Sequence, residues 1–214
     1  MNKLVLGILI PYFKNSEECE ETFRHLMIKL SQQITDKMIL YVYEDGQKSD
    51  WLLEYKQENI IIDGSTKNKG VSYARNKGLD YLIDKVNYIL FLDSDDIISN
   101  NFLSSTYEYC ADNSHEIIEP NFYIREHKTP YDPHKVRCGC AASAIQTRII
   151  GDIRFDEKLQ IGEDTKFMED VCDLSKYRKK LSKADYFYQF GINQNSLTKR
   201  KERNEIKKER ESEE

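Results

Sequence analysis

Three carboxylates stand within four residues directly after a short apolar run, in the segment YILFLDSDD at 88–96. Asp93, Asp95 and Asp96 would repel one another unless they share a cation. Carboxylate oxygens are the ligands that Mg²⁺ and Mn²⁺ prefer, and such an ion keeps coordination positions open for a substrate phosphate. A solvated acidic turn that caps the next helix would look the same. The cluster alone therefore leaves a metal site and an acidic turn equally open.

A second segment that could carry chemistry lies about 20 residues upstream, where 68–82 reads NKGVSYARNKGLDYL. Gly70 and Gly78 allow close approach of the backbone, and Arg75 is suited to bidentate binding of a diphosphate. A third candidate is the pair Glu163 and Asp164. Taken alone, this pair is better explained as two acids at the first turn of a helix at 163–173, where the helix dipole stabilises them.

The elements that would position these residues alternate between strands and helices. Apolar runs at 3–10, 37–43, 59–63 and 88–92 predict buried strands, and helical patterns follow from 15 or 16, at 49–56 and at 70–85. This alternation predicts an α/β protein with a doubly wound, mostly parallel sheet and flanking helices. Ligands of such sheets bind at the carboxyl ends of the strands, which is where the polar motifs of this chain fall.

Composition narrows the class further. The chain has 214 residues, 39% hydrophobic and 11% aromatic, which is too apolar for a disordered protein. Its formal charge of −5 argues against non-specific binding of nucleic acid. No apolar run reaches the roughly 20 residues of a membrane helix, and the amino terminus fits no secretory signal. Five scattered cysteines without a CxxC pair favour a reducing cytoplasm.

The carboxyl-terminal segment differs from the rest of the chain. Residues 199–214 carry seven basic and six acidic residues and a single isoleucine, so we expect a charged tail that is helical or frayed. Without it, the body at 1–198 has 25 basic and 31 acidic residues and a charge of −6. We therefore expect one folded domain at 1–198.

In order and spacing, five segments of this chain resemble the family-2 glycosyltransferases, which have the GT-A fold. They are IPYFKN at 10–15, YEDG at 43–46, the ARN segment around Arg75, LFLDSDD at 91–96 and LQIGEDTKFM at 159–168. The resemblance covers about residues 3–198. It implies a Rossmann-like nucleotide-binding half at 1–96 and an acceptor half with the catalytic base at 97–198.

The resemblance also implies a nucleotide-sugar donor, a UDP-sugar by preference, and inverting transfer to an acceptor hydroxyl. The acceptor would be a glycan, a lipid carrier or a protein. The aromatic residue that borders the base in the family would be Phe13 or Tyr12, and Asp45 would recognise the base. Together, the donor-binding residues implied by the family are Pro11, Tyr12, Phe13, Glu44, Asp45, Lys69, Gly70, Arg75, Asp93 and Ser94.

For the chemistry itself, the resemblance makes 93–95 the family's DxD motif. Asp95 would be the main ligand of Mn²⁺ or Mg²⁺, with Asp93 and Asp96 in support. Asp164, preceded by Glu163 in an ED pair, would be the general base that removes the acceptor proton. A metal ion stabilises the charge of the leaving diphosphate, and a single displacement with one base inverts the anomeric centre.

The chain departs from the family at several points. The base-recognising turn reads EDGQ in place of a DDGS-like turn, which makes the base preference less specific. No histidine follows Asp164, although many relatives use a late histidine as a metal ligand. The segment FGINQNSLTKR at 190–200 offers amides and hydroxyls instead. Trp51 is the sole tryptophan, so a QxxRW motif of processive synthases is absent and transfer of one sugar per encounter is expected.

Three other functions compete with this interpretation. The strongest is a non-catalytic module that binds a nucleotide sugar or glycan, because the missing histidine would fit lost turnover. A haloacid-dehalogenase-type phosphatase also places DxD after an apolar strand, but Asp96 replaces the usual Thr or Val. A sugar nucleotidyltransferase needs a glycine-rich arginine loop after the first strand, and IPYFKN lacks one. The acceptor half is least predictable: 116–128 could form an antiparallel pair.

Overall fold

The structure, a computed structural model, describes residues 4–112, 114–124, 140–159, 161–175 and 178–188. Its first four strands form the parallel part of a single sheet. They are β1 (Leu6–Tyr12), β2 (Met38–Asp45), β3 (Ile60–Ser65) and β4 (Tyr88–Phe91). In the sheet they lie in the order β3-β2-β1-β4, so β1 pairs with both β2 and β4. The four strands predicted from the apolar runs are therefore confirmed, within a few residues at each end.

Four shorter or later strands extend the sheet beyond β4. They are β5 (Ile97–Ile98), β6 (Ile117–Ile124), β7 (Ala144–Gln146) and β8 (Arg178–Tyr188), and they continue the order as β7-β6-β8-β5. Strand β7 is antiparallel to β4 and β6, β6 is parallel to β8, and β5 is antiparallel to β8. Among the described strands, six thus point one way, and the mostly parallel sheet is confirmed.

Six helices connect the strands of the described residues. They are α1 (Glu17–Gln33), α2 (Asp50–Leu53), α3 (Val71–Leu82), α4 (Phe102–Asp112), α5 (Thr147–Ile150) and α6 (Glu163–Leu174). The start of α1 follows the expected chemistry: the Ser16 hydroxyl accepts a hydrogen bond from the Cys19 N–H, and Glu17 and Glu18 lie in the first turn. The helix buries Phe23, Met27 and Leu30, as the periodicity predicts.

Both faces of the sheet are covered by helices. Alternate residues of β1 point to opposite faces. Ile8 belongs to a core that includes Phe23 of α1 and Phe102 of α4, whereas Leu9 belongs to a second core with Leu79 of α3 and Phe167 of α6. This is the doubly wound arrangement expected from the sequence, and it places the start of α3 and of α6 at the carboxyl edge of the parallel strands.

The acceptor half shows where the sequence-based interpretation was wrong or silent. The segment at 116–128 does not fold back on itself within its described part: Ile117–Ile124 is one strand, paired with β7 and β8, and its register shifts between Glu119 and Asn121. The pattern did not predict α4, α5, β5 or β7. Residues 125–139, the segment at 190–200 and the tail at 199–214 lie outside the described residues.

Within the residues that the structure describes, no helix has both the length and the apolar character needed to cross a bilayer.

Gly78 of α3 tests how closely that helix must approach the sheet. A Cβ atom at this position would lie 2.5 Å from Cγ and Cδ1 of Leu9, which is fully buried. In an exposed helix, Gly→Ala stabilises by about 0.5–1 kcal/mol, but overpacking a core costs about 1–3 kcal/mol. We therefore expect Gly78→Ala to lower the free energy of unfolding in urea by about 1–2 kcal/mol.

The matched control is Lys77→Ala, because Lys77 is the exposed neighbour of Gly78 on the same helix. It should change the free energy of unfolding by less than about 0.5 kcal/mol. An increase in stability for Gly78→Ala would show that α3 and β1 are not in close contact at this position.

Candidate active site

The two aromatic residues at the end of β1 have different environments. Tyr12 is 1% exposed, and its ring packs against Phe23 and Trp51 with centroid distances of 4.2 and 6.3 Å. Phe13, the next residue, is 40% exposed and lies beyond the strand. Tyr12 is thus a core residue, while Phe13 is the aromatic ring open to a ligand. Pro11 precedes them within β1 and pairs in register with Tyr43.

The turn after β2 supports the Phe13 ring. Gly46 has a φ of +115°, a conformation that side chains rarely adopt. A Cβ at Gly46 would lie 3.0 Å from Cε2 of Phe13 and 3.2 Å from Cβ of Asn68. The glycine therefore permits both the turn and the close contact with the ring, which holds one face of Phe13 against the backbone.

Asp45 joins this turn to the start of α3. Its Oδ1 accepts a hydrogen bond of 2.8 Å from the Lys69 N–H, and its Oδ2 accepts one of 2.7 Å from the Gly70 N–H. Gly70 is the N-cap of α3, has a φ of +97° and, as a glycine, has no side chain to cap the helix. Asp45 instead anchors the two residues that lead into α3, through their backbone N–H groups. The Lys69 side chain is exposed and donates to the Tyr73 hydroxyl at 3.0 Å.

Glu44, the acid before Asp45, faces the interior. Its Oε1 accepts a hydrogen bond of 2.7 Å from the Ser49 N–H, and the residue is 3% exposed. Burial raises the pKa of Glu44 above its ordinary value, although the hydrogen bonding at Ser49 opposes this. The contacts of Glu44 secure the loop between β2 and α2, and they leave Asp45 as the acid of this turn that borders the start of α3.

The acidic segment after β4 divides into exposed and buried positions. Asp93 and Asp95 are partly exposed, whereas Ser94 and Asp96 are buried, with Asp96 only 1% exposed. Asp95 also acts on Cys19 in the first turn of α1. Burial raises the pKa of the Cys19 thiol, and the negative charge of Asp95 adds to this effect. The DxD positions therefore alternate with buried ones, so that the first and third residues face the edge of the sheet.

Arg75 connects this segment to α6. One terminal nitrogen of its guanidinium, Nη2, donates to Oδ1 of Asp93 at 2.8 Å, and the other, Nη1, donates to Oε1 of Glu163 at 2.9 Å. The Arg75 and Glu163 side chains are 5% and 9% exposed, and that of Asp93 is 28% exposed. The guanidinium carbon lies 5.2 Å from the centre of the Phe155 ring. The arginine, which stays protonated, is therefore shared by acids from both halves of the chain.

The start of α6 separates the two acids of the ED pair. Gly162, the N-cap, has a left-handed conformation with a φ of +82°. Glu163 is buried, and burial raises its pKa, while the Arg75 charge partly offsets this effect. Asp164 is partly exposed, and its Oδ1 accepts a 2.7 Å hydrogen bond from the Thr165 N–H. Only Asp164 is thus available to a ligand from outside.

Sequence patterns missed the residues that hold α3 and α6 together. The Phe155 and Phe167 rings stack at a centroid distance of 4.0 Å with an interplanar angle of 7°. The Asn76 amide donates to the Phe155 carbonyl at 3.0 Å and accepts from its N–H at 2.9 Å. Cys140 is fully buried close to Arg75, and burial raises the pKa of its thiol. The ARN segment could have pointed to Asn76 in the sequence. No sequence pattern pointed to Phe155 or Cys140.

The residues present fit a divalent cation that is held mainly by its substrate. No group of three His, Cys, Asp or Glu side chains in the described part of the chain is arranged as a complete metal site. Mg²⁺ often uses only one or two carboxylates together with substrate phosphates. Asp95 and Asp93, which are partly exposed, can supply these carboxylates, whereas Asp96 is buried.

A mostly parallel α/β sheet that brings the turn after β2, an acidic loop after β4 and the start of α6 to one edge is typical of the GT-A class of sugar-nucleotide transferases. Residues 8–183 match the sequence profile described as Glycosyl transferase family 2. The match covers most of the chain, which therefore belongs to this family.

Curated relatives of this chain are named for teichoic acid biosynthesis or for N-acetylglucosaminyl transfer to poly(ribitol-phosphate). It is 29% identical over 174 residues to the minor teichoic acid biosynthesis protein GgaB of Bacillus subtilis (strain 168), which covers 71% of this chain and 19% of that protein. It is 28% identical over 224 residues to GgaA of the same strain, covering 92% and 49%. It is 26% identical over 117 residues to poly(ribitol-phosphate) beta-N-acetylglucosaminyltransferase TarP of Staphylococcus aureus (strain N315), covering 53% and 35%.

Solved structures of S. aureus TarS share the fold. TarS 1-349 in complex with UDP has a TM-score of 0.74 and 18% identity, covering 87% of this chain and 60% of that chain. TarS 1-349 in complex with UDP-GlcNAc has a TM-score of 0.74 and 16% identity, covering 91% and 61%. The GT-A fold expected from the sequence is thereby confirmed. The chain spans about half or less of the length of the curated relatives it matches.

The two hydrogen bonds that Asp45 accepts from the segment before α3 give a direct prediction. Asp45→Ala removes the acceptor of two backbone N–H groups, and hydrogen bonds to a charged group contribute about 1.5–3 kcal/mol each. Because water can replace part of this contribution, we expect a loss of about 2 kcal/mol in the free energy of unfolding. Amide hydrogen exchange should become faster at Lys69 and Gly70.

Asp84→Asn is the control, since Asp84 is exposed and follows α3. It removes a carboxylate without removing these hydrogen bonds, and stability and exchange at 69–70 should stay as in the wild type. Unchanged exchange at Lys69 and Gly70 in Asp45→Ala would contradict the anchoring role of Asp45.

Proposed function

We propose that this protein is a metal-dependent inverting glycosyltransferase that moves one sugar from a UDP-sugar to an acceptor hydroxyl. The observation that carries the proposal is the placement of two sites around one side chain. Arg75 hydrogen-bonds to Asp93, at the donor edge of the sheet, and to Glu163, the residue beside Asp164. A donor held at the strand ends would therefore have its reacting carbon close to the one carboxylate suited to act as a base.

The donor half offers a contact for each part of a nucleoside diphosphate. The exposed ring of Phe13 can stack on the base, and Asp45 can accept a hydrogen bond from it. Arg75 and the backbone near Gly70 lie where a diphosphate would follow. Asp95 and Asp93 would hold Mn²⁺ or Mg²⁺, which when bound neutralises charge on the leaving diphosphate. The Tyr12 ring packs against Phe23 and Trp51, and Glu44 accepts from the Ser49 N–H, so these two residues would support the site from behind.

The reaction needs one proton transfer and one displacement. Asp164 takes the proton of the acceptor hydroxyl while its oxygen forms a bond to the anomeric carbon. The bond from that carbon to the diphosphate oxygen breaks, and the diphosphate leaves with the electron pair. A retaining route through a covalent intermediate would need a second carboxylate as nucleophile. Glu163 is the nearest one, and its Oε1 is engaged with Arg75, which supports inversion.

The relatives support the choice of acceptor and donor. GgaA and GgaB are named for teichoic acid biosynthesis, TarP for N-acetylglucosamine transfer to poly(ribitol-phosphate), and TarS 1-349 was solved with UDP-GlcNAc. We infer an N-acetylhexosamine or hexose donor linked to UDP and a hydroxyl-rich wall polymer as acceptor. The halves at 1–96 and 97–198 would serve donor and acceptor respectively, and the cytoplasmic location stays a prediction.

The base assignment predicts the effect of Asp164→Asn. The amide cannot accept the proton, and a general base contributes about 10²- to 10⁴-fold to the rate. We expect kcat to fall by that factor, measured as UDP released from a panel of UDP-sugars with Mn²⁺ and a poly(ribitol phosphate) acceptor. UDP affinity, measured by calorimetry, should change less than about twofold, because Asp164 does not face the nucleotide.

Asp170→Asn is the matched control, because Asp170 lies on the exposed part of the same helix and pairs with Lys166. Its kcat should equal that of the wild type. An undiminished kcat in Asp164→Asn would remove the base assignment. UDP binding by the wild type without transfer to any acceptor would favour a non-catalytic binding module, and phosphate release from phosphomonoesters would favour a phosphatase.

Metal dependence predicts that chelation stops turnover. With one or two protein carboxylates, the ion depends on the diphosphate and is readily removed. We expect EDTA to abolish UDP release and Mn²⁺ or Mg²⁺ to restore it. Asp95→Asn should lower kcat/KM for the donor at least tenfold and raise the Mn²⁺ concentration that gives half-maximal activity. Full activity in EDTA, or an Asp95→Asn variant equal to the exposed control Asp84→Asn, would overturn the metal assignment.

A further inference from the structure

Glu163 and Asp164 are neighbours in sequence, but only one of them can reach a substrate. Successive residues of a helix point about 100° apart. At the start of α6 this turns Glu163 into the interior, where its side chain is 9% exposed, and leaves Asp164 partly exposed. Oε1 of Glu163 faces Nη1 of Arg75 at 2.9 Å. The charge of Glu163 is therefore committed to Arg75 and is not presented to the reacting atoms.

Arg75 in turn depends on both of its acidic partners. A buried ion pair is strongly destabilised when one partner is removed, because the other charge is left without compensation. Arg75, Asp93 and Glu163 together carry one positive and two negative charges, and the guanidinium bonds to one acid through each terminal nitrogen. Loss of Glu163 would leave Asp93 as the remaining ionic partner of Arg75 among these three.

The guanidinium has more N–H donors than its two ion pairs use. Arginine has five N–H donors, and the two ion pairs use one from each terminal nitrogen. Nε of Arg75 is buried, with no hydrogen-bond partner in the described part of the chain. A diphosphate that reached the guanidinium could accept from the second N–H of a terminal nitrogen, provided that the plane of the group is fixed. Glu163 fixes one end of that plane, and the Phe155 ring lies 5.2 Å from its centre.

The same contacts make α6 a rigid mount for its second acid. The Phe167 ring of α6 stacks on Phe155, and the Asn76 amide holds the Phe155 backbone to α3. The Arg75–Glu163 pair joins the same two helices one position away from Asn76. Glu163 therefore joins the first turn of α6 to α3 directly, and Phe167, one turn later, joins the helix to α3 indirectly through Phe155 and Asn76. Asp164 lies in the turn held by the first of these contacts.

We propose that Glu163 is a positioning residue that holds Arg75 ready for the donor diphosphate and, through the shared guanidinium, couples donor binding to the placement of Asp164. This inference rests on the proposed function, since it presupposes a nucleoside diphosphate at the donor edge. It separates the two acids of the ED pair: Asp164 acts on the acceptor, and Glu163 acts on the donor through Arg75 without touching either.

The test measures UDP binding by calorimetry, with Mn²⁺ and without acceptor, and then steady-state kinetics. Glu163→Ala should weaken UDP binding about tenfold, within the range usual for coupled sites, raise KM for the donor and lower kcat. Glu163→Gln keeps an oxygen that can accept from Nη1 and should recover most of the lost affinity. Asp164→Asn should lower kcat alone, and Asp170→Asn, on the same helix, should change neither quantity.

Each outcome decides a separate point. If the wild type binds UDP and Glu163→Ala, shown by circular dichroism to be folded, binds it within twofold, the positioning role is wrong and the proposed function stands. If Glu163→Ala does not fold, Arg75→Lys carries the test, because lysine cannot bond to Glu163 and a diphosphate through a planar fork. A UDP affinity of Arg75→Lys equal to that of the wild type would overturn the role. A lower melting temperature with unchanged affinity would show a structural role only. If the wild type binds no nucleoside diphosphate, both proposals fall.

Discussion

The sharing of one buried guanidinium by two carboxylates is the interaction on which the site depends. Arg75 is on α3, Asp93 follows β4 and Glu163 begins α6, so the contact joins three elements that are separate in sequence. Two acids at one arginine are costly to bury unless the geometry satisfies both. The parallel sheet meets this requirement, because it delivers the end of β4 and the starts of the following helices to a common edge. The fold brings these segments to one edge of the sheet, and the two ion pairs fix the positions of Arg75, Asp93 and Glu163 relative to one another.

Close approach between helix and sheet makes that arrangement possible. Leu9 of β1 would contact a Cβ at Gly78, and Arg75 lies less than one turn before this glycine on α3. At the other end of the helix, Asp45 binds the Lys69 and Gly70 amides and sets where α3 begins. Packing against Leu9 therefore limits how far α3 can lie from the sheet, and the Asp45 hydrogen bonds hold the segment that leads into it. Within this frame, the Arg75 side chain is held by Asp93 and Glu163.

Local sequence patterns predicted the strands and helices that local chemistry determines, but they did not predict contacts between distant segments. The runs around Ile8 and Leu40 are apolar because these strands are buried on both faces, so four strands and their order along the chain could be found. The partners of Arg75 could not, because 18 and 88 residues separate it from Asp93 and Glu163. The strand at 117–124 was missed as a single element since its neighbours in the sheet come from distant segments. Tyr12 and Phe13 are both aromatic, and only the packed structure shows which one is buried.

Glu163 and Asp164 are adjacent but have different environments. The ED pair in the sequence is therefore weak evidence for a catalytic site by itself, and it becomes stronger once the contact between Glu163 and Arg75 is known. Any helix start accommodates acids, since the dipole favours negative charge there. The dipole does not explain why one of the two acids is buried. Burial disfavours the charged form of a carboxylate, and a nearby cation such as Arg75 favours it. Glu163 is buried against Arg75, and Asp164, one step around the helix, is partly exposed as a consequence. In the proposed mechanism, the arginine that binds the donor diphosphate would therefore also determine which of the two acids faces the acceptor.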